Sequence, residues 1–398
     1  MKAKLAIIAT HAIQYYAPLF RILSSNDSLD VRVFYTWSQT VSGERADSGF
    51  GRTIRWDVPL LDGYNYEFVA NVAKRPGTDH FWGLRNPTLI AIVERWGADA
   101  IFVIGWNSWT HLNVMRHFKC KTPVFFRGDS TLLDRRPLLR ATARRIVLRW
   151  VYRHIDIALA VGRNNYDYFV WCGVPRERIV FAPHSVDIER FSRADAGYRE
   201  RALAWRRELA IGDDAVAIIF AGKLQRKKDP LLLLDAFIQR DFGCHLVFIG
   251  DGELEGRLRA VAKGQQNIHF MPFQNQSLMP AVYRLGDVFV LPSCGPGETW
   301  GLALNEAMAS GCAIIASTAV GSARDLVVQG VNGWVFEARS LPSLMRVLRG
   351  AVALGRDGLR LMGEQGRRAV ARWSTEEAGT RIGAAVLQLI RDRDCKGA

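Results

Sequence analysis

Two glutamates at a short, defined spacing are the residues of this chain best suited to chemistry. Glu298 and Glu306 have seven residues between them in the stretch GPGETWGLALNEAMASG. A glycine-rich turn leading into a helix exposes N–H groups and a positive dipole end that can bind a phosphate. The pattern predicts a helix from about Thr299 to Gly311, with the two acids roughly 10 Å apart along its axis. Carboxylates accept hydrogen bonds from sugar hydroxyls, so the pair could hold the two ends of an extended ligand around a diphosphate. The alternative is a solvated helix with two exposed glutamates.

Basic residues follow another apolar run in the same half of the chain. Lys223 and Lys228 lie in AIIFAGKLQRKKDPLLLLDAF, directly after the predicted strand. Positive charge at the carboxyl end of a strand can neutralise a departing pyrophosphate, although a solvated basic loop would have the same composition. The G-x-G of Gly250 and Gly252 follows a further apolar run and is a weak signal alone.

Short apolar runs bounded by turn residues alternate with helical patterns along the whole chain, which predicts α/β architecture with parallel sheets. Three of the predicted strands are Val124–Arg127, Ile268–Met271 and Ala313–Ser317. A polar, arginine-rich stretch at 187–213 interrupts the pattern. We therefore predict two Rossmann-like domains facing across a cleft, with ligands at the carboxyl ends of the strands. The predicted parts are an N-terminal domain for the acceptor (1–190), a linker (191–212), a C-terminal donor domain (213–372) and a C-terminal helix that could pack back on the first domain (373–398).

The block GETWGLALNEAMASG resembles the G-E-(S/T)-(F/W)-G-L…E-A-M-A-x-G block of the retaining glycosyltransferases of family 4, which have the GT-B fold. Also similar to that family are the segment G-K-L-x-x-x-K at 222–228, the G-x-G at 250–252 and NGWVF at 332–336. The resemblance covers about residues 216–336. It is weaker in the N-terminal half, where the segment H-x-I-Q-Y-x-x-P-L-F from His11 is similar to the opening of one subgroup.

The resemblance implies a role for each matching residue. Glu306 would bind the ribose hydroxyls of a nucleoside-diphosphate sugar, with UDP or GDP as the nucleotide, and Glu298 would hold the donor sugar. Lys223 and Lys228 would stabilise the leaving diphosphate, and no cofactor or metal ion would be needed. The remaining implied donor-binding positions are Gly222, Gly250, Gly252, Gly297, Thr299, Trp300, Gly301 and Leu302. The family usually has arginine where this chain has Lys223, and lysine lacks the bidentate fork of arginine.

Polar residues at strand ends of the N-terminal half are candidates for acceptor or cleft contacts: His11, Trp106, Asn107, Arg127, Asp129 and His184. A structural histidine is an equally good interpretation of His11. Arg127 and Asp129 could simply pair with each other.

The chain is strongly basic, with a formal net charge of +14. This charge would attract nucleic acid, an anionic membrane or a phosphorylated small molecule. No zinc-finger, basic-zipper or RNP-type signature accompanies it, so we do not expect nucleic acid as a partner. The run RRPLLRATARRIVLRWVYRH at 135–154 could contact an anionic membrane, or could pack normally with a solvated arginine face. The sequence shows no apolar run long enough to span a bilayer and no signal-peptide pattern. We therefore expect a cytoplasmic protein, at most peripheral to the inner face of the plasma membrane.

Together these features predict a retaining hexosyltransferase that moves a sugar from a nucleoside diphosphate to a hydroxyl of a glycan or lipid-linked acceptor, in cell-surface polysaccharide assembly. The alternatives are a non-catalytic nucleotide-sugar-binding assembly partner and a nucleotide-sugar epimerase on the same fold. The sequence leaves the oligomeric state open.

Overall fold

The computed structural model describes residues 2–38, 44–47, 52–134 and 137–397. The chain divides into two compact units. The first unit comprises residues 1–45, 58–184 and 375–398, and the second comprises residues 46–57 and 185–374. Among the residues described, no helix combines the length and the apolar composition that crossing a bilayer requires.

Strands and helices alternate through the first half of the chain. In order they are β1 (Ala3–Ala9), α1 (Ala17–Ser24), β2 (Leu29–Tyr35), β3 (Glu44–Asp47), β4 (Arg52–Arg55), β5 (Asn65–Phe68), α2 (Leu89–Trp96), β6 (Ala100–Ile104), α3 (Trp109–Phe118), β7 (Val124–Arg127), α4 (Leu138–Tyr152), β8 (Ile157–Ala160), α5 (Arg163–Trp171) and β9 (Ile179–Phe181). The first unit is built on a parallel 7-stranded sheet of order β5-β2-β1-β6-β7-β8-β9. β3 and β4 pair with each other in a separate small sheet.

The second half repeats the alternation. Its elements are α6 (Ile188–Ser192), α7 (Ala196–Glu208), β10 (Ala217–Ala221), α8 (Pro230–Gln239), β11 (His245–Ile249), α9 (Glu255–Val261), β12 (Ile268–Met271), α10 (Met279–Leu285), β13 (Val288–Leu291), α11 (Ala303–Ser310), β14 (Ala313–Ser317), α12 (Ala323–Leu326), β15 (Gly333–Phe336), α13 (Leu341–Ala353), α14 (Gly355–Val370) and α15 (Thr375–Gly397). A parallel 6-stranded sheet of order β12-β11-β10-β13-β14-β15 forms the centre of the second unit. The predicted α/β class with two parallel sheets is confirmed, and the continuous apolar strands are buried as sheets covered on both faces require.

The stretch predicted as a linker, 191–212, is instead part of the second unit, where it contributes most of α6 and all of α7. Arg206 on α7 is only 2% exposed. Its guanidinium donates to the carbonyls of Leu285 at 3.0 Å and Gly212 at 2.9 Å. A buried arginine is tolerated when such acceptors satisfy it. The arginine-rich composition that suggested a linker therefore reflects one buried hydrogen-bonding residue among exposed ones.

The C-terminal helix α15 belongs to the first unit. Ala378, Ile382 and Val386 on its inner side are fully buried in the core that β1 and α1 also form. A Cβ atom at Gly379 would lie 2.4 Å from the side chain of Ile22 on α1, so glycine is required where the two helices touch.

A short segment of the N-terminal half, 46–57, belongs to the second unit. Asn275 donates to the carbonyl of Arg55 at 2.7 Å. The backbone N–H of Ser277 donates to the carboxylate of Asp57 at 3.0 Å. These bonds attach the segment to the loop before α10.

Candidate functional site

The loops after β10, β11 and β13 meet at one edge of the second sheet, because these strands are parallel neighbours. The N–H of Gly222 donates to the carbonyl of Ile249 at 3.0 Å. A Cβ atom at Gly250 would lie 2.2 Å from the carbonyl oxygen of Gly222, and one at Gly252 would lie 2.6 Å from that of Leu224. These glycines therefore allow two loop backbones to touch, which is a structural reason for their positions.

The loop after β10 presents the predicted lysines. A hydrogen bond of 2.9 Å from the Cys294 N–H to the Lys227 carbonyl joins this loop to the one after β13. Lys223 lies half-buried at the start of the same loop. Lys228 Nζ lies 2.6 Å from Glu298 Oε2, and both side chains are largely buried. The structure thus brings two of the three predicted catalytic residues into direct contact.

Ser293 completes the surroundings of Glu298, and the sequence analysis did not select it. Its hydroxyl donates to Glu298 Oε2 at 3.0 Å. Glu298 is 8% exposed, so this hydrogen bond and the ammonium of Lys228 offset the cost of burying its charge. The only local signal for Ser293 is its place immediately after the β13 strand and Pro292.

The helix that follows Glu298 begins later than predicted, which corrects the inferred geometry of the glutamate pair. α11 starts at Ala303, so Thr299 is not its N-cap. Gly301 has φ +89°, a left-handed conformation incompatible with the α-helix, and a Cβ atom there would lie 2.9 Å from Val320. Glu306 consequently lies in the first turn of the helix. The predicted separation by two helical turns is wrong; the acids are separated by a glycine loop instead.

The other predicted residues of this loop differ in accessibility. Trp300 is 3% exposed; its indole N–H donates to Asn305 at 2.9 Å, and its ring packs on Trp373. Trp300 therefore supports the loop from inside. Gly297 is exposed, with φ +88°, and a Cβ atom there would meet only open space. Leu302 is half-buried at the N-cap of α11.

Glu306 is held by residues that the sequence did not identify. The Tyr283 hydroxyl donates to Glu306 Oε2 at 2.7 Å. Burial raises the pKa of Glu306, while the Tyr283 hydrogen bond and the positive charge of Arg190 lower it. Arg190 is itself oriented by Gln276, whose side-chain oxygen accepts from it at 3.2 Å. The carboxylate is thus fixed in direction and kept closer to its ionised form.

Arg127 and His184 of the first unit lie together. Arg127 is 1% exposed, and its two terminal nitrogens donate to the carbonyls of Ala182 at 3.2 Å and Pro183 at 2.9 Å. Burial, followed by the charge of Arg127, lowers the pKa of His184 well below its usual value. Burial lowers the pKa of Arg127, and the negative charge of the exposed Asp129 partly opposes this shift. Arg127 therefore holds the chain after β9 in addition to interacting with Asp129.

The other candidates of the first unit have separate surroundings. His11 is 7% exposed, lies 2.9 Å through Nδ1 from the Thr10 hydroxyl and meets the Trp37 ring edge-on. Trp106 packs partly buried against the core, and Asn107 is exposed. Within the part of the chain that the structure describes, no group of three or more His, Cys, Asp and Glu side chains could hold a metal ion.

Comparison with known proteins finds a family match in the part of the chain that carries the glutamate pair. Residues 202–367 match the family model of Glycosyl transferases group 1. The matched range begins in α7 and ends in α14, so it contains the two lysines, both glutamates and Tyr283.

Relatives with known names match only part of the chain. A D-inositol 3-phosphate glycosyltransferase of Geodermatophilus obscurus is 31% identical over 207 residues, which is 48% of this chain and 43% of that protein. Sulfoquinovosyl transferase SQD2 of Arabidopsis thaliana is 26% identical over 244 residues, 59% of this chain and 45% of that protein. The chain therefore spans less than half the length of these two relatives.

Solved structures resemble the whole chain. HepE of Anabaena, determined in complex with UDP, has a TM-score of 0.73 at 16% identity and covers 98% of this chain and 100% of its own. Sucrose-phosphate synthase of Thermosynechococcus elongatus has a TM-score of 0.71 at 18% identity, with the same coverage. At such identities the likeness shows the fold alone, and it confirms the predicted GT-B fold class.

Proposed function

We propose that this chain is a retaining glycosyltransferase that moves a hexose from a nucleoside-diphosphate sugar to a hydroxyl of a glycan or lipid-linked acceptor in cell-surface polysaccharide assembly. The observation that carries the proposal is the contact of Lys228 with Glu298, 2.6 Å apart, within the range that matches the Glycosyl transferases group 1 model. The UDP complex of HepE, on the same fold, supports a uridine nucleotide as the donor.

Each group of the site has a task in this reaction. The Glu306 carboxylate accepts the ribose hydroxyls, and Tyr283 fixes its direction. Glu298 holds hydroxyls of the donor sugar. The bond between the anomeric carbon and the diphosphate oxygen breaks, and Lys228 and Lys223 stabilise the diphosphate that leaves. The acceptor hydroxyl attacks from the face that the diphosphate leaves, its proton passes to the leaving phosphate, and the anomeric configuration is retained. The two lysines supply the positive charge, so the proposed reaction uses no metal ion.

We place this reaction in the cytoplasm, at the inner face of the plasma membrane. The net charge of +14 supports this location, because the cytoplasmic leaflet is anionic. The contacts of the acceptor remain proposed among the six candidates of the first unit, which are His11, Trp106, Asn107, Arg127, Asp129 and His184.

Nucleotide-dependent thermal stabilisation tests the donor site. We would measure the melting temperature with UDP, GDP, ADP and TDP and with their common sugar conjugates, for the wild type and for Glu306→Ala. A shift with UDP or GDP that disappears in Glu306→Ala is expected, while Glu200→Ala, which changes an exposed acid on α7, should keep the shift. A folded wild type that no nucleotide stabilises would remove the donor site from the proposal.

A further inference from the structure

Helix α4 has apolar residues on its solvent side as well as on its buried side. Leu148 and Val151 face the core of the first unit and are almost completely buried. On the opposite side Leu139 is 87% exposed, Ile146 is 67% exposed and Trp150 is 38% exposed. Their spacing of seven and four residues puts these three side chains in one stripe along the helix. The structure thus resolves a pattern that the sequence left ambiguous, because the stripe faces solvent.

Arginines flank this stripe without any neighbouring acid on the same helix. The exposed arginines of α4 and its C-terminal end are Arg140, Arg145, Arg149 and Arg153. Between residues 135 and 155 the sequence contains no aspartate or glutamate; Arg135 and Arg136 of this run lie outside the described residues. The adjacent α3 also lacks acids and places Arg116 5.7 Å from the Trp150 ring, while α5 on the other side carries one exposed acid, Asp167.

We propose that the outer face of α4 is a docking surface for an anionic phospholipid bilayer. Leu139 and Ile146 would enter the boundary between headgroups and acyl chains, where Trp150 has its preferred position. The arginines would bind lipid phosphates and keep their charge at the headgroup level. The inference deepens the proposed membrane location by naming its surface, and it does not depend on the donor chemistry.

The positive charge on this face also argues against a second copy of the chain as the occupant. Two copies of the chain joined symmetrically through α4 would set one row of arginines against the same row of the partner copy, and like charges repel. A bilayer that contains acidic lipids offers the complementary charge together with an apolar interior.

Vesicle sedimentation of the full chain tests the proposal. The probes are vesicles of phosphatidylcholine alone and of phosphatidylcholine mixed with phosphatidylglycerol. We expect the wild type to sediment with the mixed vesicles only. Arg140→Gln/Arg149→Gln should weaken partitioning about 25-fold, at roughly a factor of five per arginine. Leu139→Gln/Ile146→Gln should weaken it about tenfold or more, since two apolar insertions are lost.

Matched controls separate this surface from net charge and general hydrophobicity. Arg346→Gln/Arg349→Gln removes two exposed arginines of α13, and Val261→Gln/Leu361→Gln removes two exposed apolar side chains of the second unit. Both controls should sediment like the wild type. A loss of binding in the arginine control equal to that in the α4 variant would overturn the proposal in favour of nonspecific charge attraction.

Two further outcomes would overturn the proposal. Wild-type protein that does not sediment with anionic vesicles, or α4 variants that sediment normally, would exclude this face as the docking surface. If light scattering shows a dimer that dissociates in the α4 variants, the occupant of this face is a second copy of the chain. The UDP-dependent thermal shift is measured on the same samples. A protein that keeps the shift but does not bind vesicles leaves the proposed transferase reaction standing. A protein that binds vesicles but shows no shift removes only the donor site.

Discussion

The largely buried carboxylate of Glu298 contacts one cationic group and one hydroxyl donor. The ammonium of Lys228 is 2.6 Å from its Oε2, and the Ser293 hydroxyl donates to the same oxygen at 3.0 Å. A ligand with sugar hydroxyls and a diphosphate would compete for both partners of this ion pair. The contact would therefore link the binding of the sugar to the position of Lys228, which we propose to stabilise the leaving group.

Replacing Glu298 with glutamine should lower the rate of sugar transfer about 100-fold or more, because the charge is lost while size and shape are kept. Nucleotide-induced stabilisation should persist, since Glu306 and not Glu298 is the proposed ligand of the ribose. The measurement is the initial transfer rate with the donor that thermal shift identifies, and Glu200→Gln is the control. Transfer or pathway output unchanged in Glu298→Gln would favour the non-catalytic assembly partner, and conversion of the nucleotide sugar without an acceptor would favour the epimerase.

The pH dependence of nucleotide binding should report on Tyr283. Ribose hydroxyls donate to the ionised carboxylate, so affinity should fall as the pH decreases through the raised pKa of Glu306. Tyr283→Phe removes an interaction that lowers this pKa, and the loss of affinity should therefore begin at higher pH. Calorimetric titration of UDP across the acidic range measures both profiles, with Tyr66→Phe as an exposed control. Superimposable profiles for wild type and Tyr283→Phe would show that Tyr283 does not tune the carboxylate.

The ligand-free protein should respond to pH in the opposite sense at this residue. A carboxyl group with a raised pKa in the folded state contributes stability that is fully present below its unfolded pKa. That contribution is lost as the pH rises through the raised value. Glu306 thus makes the empty site less stable under the conditions in which it binds nucleotide best, which is a typical cost of a functional group.

The loop between β13 and α11 depends on the backbone freedom of its glycines. Gly301 at φ +89° leaves no room for a side chain, since a Cβ atom would lie 2.9 Å from Val320 and 3.1 Å from Leu291. Gly297 has nearly the same backbone angle, φ +88°, but open space. Substitutions at the two glycines therefore distinguish the destabilisation caused by the left-handed conformation from that caused by crowding.

Gly301→Ala should lower the free energy of unfolding by about 2–4 kcal/mol, as conformational strain and overpacking add. Gly297→Ala should lower it by only about 1–2 kcal/mol. Chemical denaturation of both variants measures the difference. Equal destabilisation by the two changes would contradict the role of Val320 and Leu291 in fixing this loop.

The two units are not consecutive in sequence. Helix α15 follows the last residues of the second unit but belongs to the first unit. Ile382 on this helix is fully buried in the core of the first unit. Ile382→Ala should lower the stability of the first unit by about 2–5 kcal/mol. Leu361→Ala, at a position 56% exposed, should change stability by less than about 0.5 kcal/mol.

Hydrogen exchange shows where the loss occurs. In Ile382→Ala, amide protection should decrease in β1 and α1, which share the core with this residue, and should be kept in β10 and β13. Protection lost mainly in the second sheet would contradict the assignment of α15 to the first unit.

Local patterns in the sequence were sufficient for the class of the fold and for many of its elements. Val124–Arg127, Ile268–Met271 and Ala313–Ser317 were predicted as strands with the bounds that the structure has. A nearly continuous apolar run between turn residues carries this information by itself, because a strand covered on both faces has mostly apolar side chains. The end of α11 at Gly311 was likewise predictable from the sequence, since a glycine in the left-handed conformation ends a helix locally.

Contacts between residues far apart in sequence determine the features that local patterns did not predict. Tyr283 reaches Glu306 across 23 positions. A Cβ atom at Gly301, before α11, would lie 2.9 Å from Val320, which follows the end of that helix in sequence. The stretch 191–212 lies in the second unit, where Arg206 donates to the carbonyl of the distant Leu285. No local composition encodes such partners, because the free energy of a buried polar group is set by what the folded chain places next to it.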